Sequence, residues 1–171
     1  MKSPPELPMI KDMGTINPMA VEPIEPSPLK MPPKAPNTTV SIGNAIVINN
    51  CGIPIYLWSV GQSISPQYIL RPGYAYAEYF RRDPQTGGIA IKVTAAKYGL
   101  YTSAPQTVFA YNLVGNRVWY DLSDVFGDPF EGQTVSIFPS QPAILWEEGV
   151  PPRKSQVRSL MADTDLVLNV C

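Results

Sequence analysis

Asp121, Asp124 and Asp128 fall within eight positions of one another, and Glu78 and Asp83 stand upstream. Carboxyl groups in such number raise the chemistry of glycoside hydrolysis, in which two acids flank the scissile bond about 5 Å or about 6.5 to 9.5 Å apart and one is held protonated. The same acids also have an ordinary structural reading. Ser123-Asp124 and Gly127-Asp128-Pro129 are turn chemistry, where a short carboxylate caps nearby backbone N–H groups. Trp58, Trp119, Tyr120 and Trp146 add flat aromatic surfaces that suit the C–H faces of sugar rings, although aromatic residues on strands more often fill a core. Trp119 and Tyr120 are neighbours, so on a strand they point to opposite faces.

The chain contains no His. That removes Ser-His-Asp and Cys-His nucleophilic chemistry, His-based zinc sites and the usual switch near neutral pH, and no cofactor is expected. The net charge is −1, and only Arg81-Arg82 and Arg153-Lys154 approach a basic cluster, which argues against nucleic acid as a partner. Those pairs read as solvated turn residues. No apolar run approaches the roughly 20 residues of a membrane span. Lys2 is followed by no apolar stretch of the secretory kind.

Cys51 and Cys171 are too far apart in sequence to frame a metal site, and neither has a His to activate it. A disulfide between the start and end of the folded part is the better reading, and it places the chain in an oxidising compartment. Asn37-Thr38-Thr39 is a glycosylation sequon, which suits the same compartment.

Residues 1–39 carry ten of the 20 prolines, five of the six Met and no aromatic residue. With so few large apolar side chains to offset ordering entropy, this segment is expected to be a disordered or polyproline-like tail. Residues 40–171 then form one domain. Runs rich in β-branched and aromatic residues follow one another: Val40 to Ile48, Ile53 to Val60, Gln67 to Leu70, Tyr74 to Phe80 and Ile89 to Thr94. They continue with Thr107 to Leu113, Val118 to Asp121, Thr134 to Phe138, Ala143 to Trp146 and Asp165 to Val170. Pro72-Gly73 has the chemistry of a type II turn. Tyr98 to Tyr101 reads as a short strand or loop, and Ser155 to Asp163 is the one weak helical candidate. About ten short strands at close spacing predict an all-β protein built as an antiparallel β-sandwich. The strand carrying Cys51 would lie beside the strand ending in Cys171.

The order Asn49-Asn50-Cys51, Ile55-Tyr56-Leu57-Trp58, Leu70-Arg71-Pro72-Gly73 and Gly115-Asn116-Arg117-Val118-Trp119-Tyr120-Asp121-Leu122-Ser123 resembles the thaumatin-like proteins. Phe80-Arg81-Arg82-Asp83-Pro84, Pro105 to Leu113 and Val118 to Phe130 are similar to the fungal Blastomyces yeast-phase-specific (antigenic thaumatin-like) family within them. The resemblance spans about residues 42–171. It implies a thaumatin-like, secreted or wall-associated fungal β-sandwich with its first cysteine bonded to its last and no established catalytic activity. Larger relatives carry an acidic cleft associated with β-glucan. Asp121 matches one cleft aspartate, Ala110 stands where a cleft glutamate is expected, and Asp124 and Asp128 flank the place of a second aspartate.

The resemblance therefore favours a non-catalytic protein that binds a wall polysaccharide such as β-glucan, or a host or partner surface protein. Asp121, Asp124, Asp128, Glu78, Asp83, Trp119 and Tyr120 are the candidate contacts. Two alternatives stand beside it: a weak endo-β-1,3-glucanase using Asp121 with Asp124 or Asp128, and a scaffold without a ligand.

Overall fold

A computed structural model describes residues 41–171, so the expected tail, the sequon at Asn37 and residue 40 lie outside the described residues. Among the described residues, eleven strands form two packed sheets. In chain order they are β1 (Asn44–Asn49), β2 (Ile55–Val60), β3 (Tyr68–Leu70), β4 (Ala75–Tyr79), β5 (Ile89–Thr94) and β6 (Gln106–Val114). After these come β7 (Arg117–Val125), β8 (Val135–Phe138), β9 (Ile144–Trp146), β10 (Arg158–Met161) and β11 (Leu166–Val170). One sheet has the order β4-β1-β11-β8-β9 and the other β10-β7-β6-β5-β2-β3.

The two-residue alternation of the strands decides which faces meet. Ala45 and Val47 of β1 and Leu166, Leu168 and Val170 of β11 face inward from the first sheet. Leu57 of β2, Ile89, Ile91 and Val93 of β5, Phe109 of β6 and Val118 and Leu122 of β7 face them from the second. All are buried and form one continuous interior, as expected when each sheet presents a single apolar face.

Two strands make the sandwich other than purely antiparallel. β1 and β11 pair in parallel, with Ala45 opposite Leu166 and Asn49 opposite Val170. All other strand pairs are antiparallel. At the shared end of β1 and β11, Cys51 and Cys171 are bonded, with 4.9 Å between their Cα atoms across 120 positions of sequence. The Asn49 side chain fixes the turn that presents Cys51. Its amide nitrogen donates to the carbonyls of Ile53 and Leu70, at 2.9 and 2.8 Å, and its oxygen accepts from the Cys51 N–H at 2.8 Å.

Local departures from the sequence reading have identifiable causes. The Ser155 to Asp163 helical candidate is instead β10, because Arg158–Met161 find an open edge on Arg117–Tyr120. Tyr98 to Tyr101 contains a 3₁₀ turn at Gly99–Tyr101. β7 runs on to Val125, so Asp124 sits within a ladder opposite Thr107 and does not cap a turn. The Pro72-Gly73 turn is as expected, with Gly73 at φ 79° and the Tyr74 N–H donating to the Arg71 carbonyl at 3.0 Å.

A cross-link closing so long a loop stabilises mainly by restricting the unfolded chain, by about 3 to 5 kcal/mol. Cys51→Ser with Cys171→Ser is expected to lower the free energy of unfolding by that amount in urea titration. The unfolded, unreduced wild-type chain should show no reactive thiol.

Candidate functional site

The outer face of the six-stranded sheet carries a groove of about 570 Å³. Its floor is set by register. Ala90 of β5 lies opposite Ala110 of β6, which lies opposite Asp121 of β7, and Asn112 lies opposite Trp119 in the next row. Two methyl side chains side by side leave a depression. Lys92, Trp119 and Val157 stand among its walls.

Trp119 is 48 % exposed on this outer face, whereas Tyr120 is buried and donates its hydroxyl to the Pro139 carbonyl at 3.2 Å. Asp121 is half-buried, and its Oδ1 is shielded without a hydrogen-bond partner. Asn112 is held in place by Arg82, whose Nη1 lies 3.3 Å from Asn112 Oδ1. An indole face, a half-buried carboxylate, the Lys92 ammonium and a floor of small residues can accept a polyhydroxylated ring: stacking on one side, with polar groups at its rim.

The structure does not bring the other candidate acids to this groove. Asp121 is its single acidic lining residue. Asp124, three positions along β7, faces the opposite side of the strand, where Thr107 Oγ1 donates to its Oδ1 at 2.7 Å. Burial, with Asp128 beside it, pushes its carboxyl up to about 7. Asp121 and Asp124 both border a smaller depression of about 280 Å³ at the strand edge, with Arg153, Lys154 and Gln156.

Glu78 and Asp83 do structural duty. Glu78 of β4 receives the Tyr76 hydroxyl at 2.7 Å and, from the other sheet, the Tyr111 hydroxyl at 2.6 Å. Burial raises both phenols above their ordinary range and the negative Glu78 adds to it, so they remain donors. Asp83 accepts the backbone N–H groups of Gln62, Gln85 and Thr86 at 2.8 to 2.9 Å, which holds its carboxyl well below the usual carboxylate range. It ties the β2–β3 loop to the β4–β5 loop.

Of the other aromatic candidates, Trp58 and Trp146 are buried. Lys92 and Asn112 were missed in the sequence reading. The signal that could have found them is the alternation of β5 and β6, which puts Lys92 and Asn112 on the same face as Ala90 and Ala110.

Known proteins bear on this arrangement. The Blastomyces yeast-phase-specific protein family matches residues 33–171. An antigenic thaumatin-like protein of Arthroderma benhamiae is 37% identical over 114 residues, which are 64% of this chain and 56% of that protein. A secreted thaumatin-like protein, calA, of Emericella nidulans is 32% identical over 93 residues, 54% of this chain and 52% of that protein. The chain thus spans about half the length of the curated relatives it matches. Among solved structures, the protein elicitor MoHrip2 of Magnaporthe oryzae superposes with a TM-score of 0.62 at 23% identity, over 75% of this chain and 98% of that one. That likeness concerns the fold.

The inter-sheet bond can be tested directly. Tyr111→Phe removes one of the two donors to the Glu78 carboxylate, and the urea midpoint should fall by the equivalent of about 1 to 3 kcal/mol.

Proposed function

This chain belongs to the Blastomyces yeast-phase-specific protein family, and from that premise we propose that it works outside the cell as a non-catalytic polysaccharide-binding protein. Its ligand class is a neutral wall glucan, and its site is the groove of Trp119 and Asp121. An extracellular setting is supported by the Cys51–Cys171 bond, which persists in oxidising surroundings, and by the secreted relative of Emericella nidulans.

One observation carries the binding reading: a half-exposed indole stands at the rim of a groove whose single acidic lining residue among the described residues is the half-buried Asp121. Trp58 and Trp146 are withdrawn into the interior, whereas Trp119 stays outward in the groove beside the half-buried Asp121, which fits ligand contact. The same groove argues against turnover. Hydrolysis of a glycosidic bond needs a second carboxyl group across the substrate, and Ala110 and Ala90 occupy the row that Asp121 faces.

The test is binding of the full chain to laminari-oligosaccharides by calorimetry, with a reducing-end assay on laminarin in parallel. Trp119→Ala should weaken binding by about tenfold, the scale of losing one well-placed aromatic contact. No reducing ends should appear at high protein concentration. Release of reducing ends that Asp121→Asn or Asp124→Asn abolishes would instead support the glucanase alternative. Unchanged affinity in Trp119→Ala would remove the groove from the account.

A further inference from the structure

The connection between β9 and β10 forms an exposed strap. From Val150 to Val157 the chain makes neither helix nor ladder, and Val150, Pro152, Arg153, Lys154, Ser155 and Val157 are exposed. Among the described residues, no backbone–backbone hydrogen bond ties this stretch to the rest of the fold. Pro151 and Pro152 have no N–H to give and fix φ, which keeps the strap from coiling back on itself. Its side-chain anchor is Gln156, whose Oε1 accepts the Trp146 indole N–H at 2.6 Å.

Arg153-Lys154 lies at the middle of this strap. A protease with an acidic specificity pocket needs an exposed Lys or Arg and a flanking backbone free to enter its cleft as an added strand. The other basic residues between 41 and 171 fail one of these conditions. Lys92, Arg117 and Arg158 lie within ladders. Arg71 is followed by Pro72, which has no N–H and closes its ring over the bond. Arg81 donates to Ser59 Oγ at 2.9 Å and Arg82 to Asn112 Oδ1 at 3.3 Å. The bond after Arg82 leads into Asp83, which is pinned by three backbone N–H groups. Lys97 leads into Tyr98, whose N–H donates to Gln67 Oε1 at 2.7 Å.

We propose that the Lys154–Ser155 peptide bond is a proteolytic processing site, and that its hydrolysis leaves a folded two-chain protein. Water adds across the bond, giving a carboxylate at Lys154 and an ammonium group at Ser155. The short chain, residues 155–171, has three anchors of its own: β10 on β7, β11 between β1 and β8, and Cys171 bonded to Cys51. Leu166, Leu168 and Val170 remain in the interior. The disulfide that closes one chain becomes, after the cut, the only covalent link between two.

Incubation of the folded full chain with a small amount of trypsin tests this. The unreduced product should gain the mass of one water at this site, and reduction should release a peptide running from Ser155 to Cys171. Cuts at Lys2, Lys11, Lys30 or Lys34 shorten the other chain and leave that peptide unchanged. The unreduced, cut protein should keep its cooperative urea transition. Arg153→Gln with Lys154→Gln should stay uncut between residues 41 and 171 over the time in which the wild type is converted. No conversion of the wild type, first cuts in this region at Arg82, Lys92 or Lys97, or equal conversion of the double variant would overturn the processing site. Loss of the urea transition on cutting, with the disulfide intact, would overturn the two-chain fold.

Discussion

The parallel pairing of the first and last described strands is the constraint on which the rest of the fold depends. β11 is the middle strand of its sheet, with β1 on one side and β8 on the other, so the C-terminal segment fills the centre of that sheet. A pairing between segments so far apart in sequence carries a large loop-closure cost. The Cys51–Cys171 bond removes much of that cost by keeping the two ends together in the unfolded chain. Asn49, fully buried at the end of β1, ties the same corner to the start of β2 and the end of β3 through three hydrogen bonds. With the five-stranded sheet closed in this way, its inner face covers the six-stranded sheet, whose outer face is left for other uses.

The acids divide according to this architecture. Glu78 and Asp83 stand where loops and sheets must be joined, and their oxygens are taken up by phenolic and backbone donors. Asp124 has turned toward the interior side of β7 and is bound to Thr107. Asp121 lies on the outer face of the six-stranded sheet, half-buried, with its shielded Oδ1 unpaired among the described residues. A chain with several acids close in sequence thus places one of them in the groove among the described residues.

Much of the fold was legible because strand alternation and turn chemistry are local. Ile89 to Thr94 emerged with its bounds intact, and Pro72-Gly73 marked its turn. β10 was not legible, because Arg158–Met161 lacks β-branched residues and becomes a strand through the free edge of β7. The parallel sense of β1 and β11 was hidden for a related reason: two strands can be placed side by side by a disulfide without their direction being given. At the site, the opposed faces of Trp119 and Tyr120 followed from adjacency. The three aspartates looked like one cluster only because sequence distance does not show which side of β7 each one leaves.

The central claim is that the closed five-stranded sheet is scaffold and the outer face of the six-stranded sheet is the ligand surface. Backbone amide shift mapping of the full chain with a laminari-oligosaccharide tests it most directly. The account predicts saturable shifts centred on Ala90, Lys92, Ala110, Asn112, Trp119 and Asp121, with β8, β9 and β11 unmoved. Shifts centred on Phe138 and Leu145 of the opposite sheet, or none at any concentration, would contradict it.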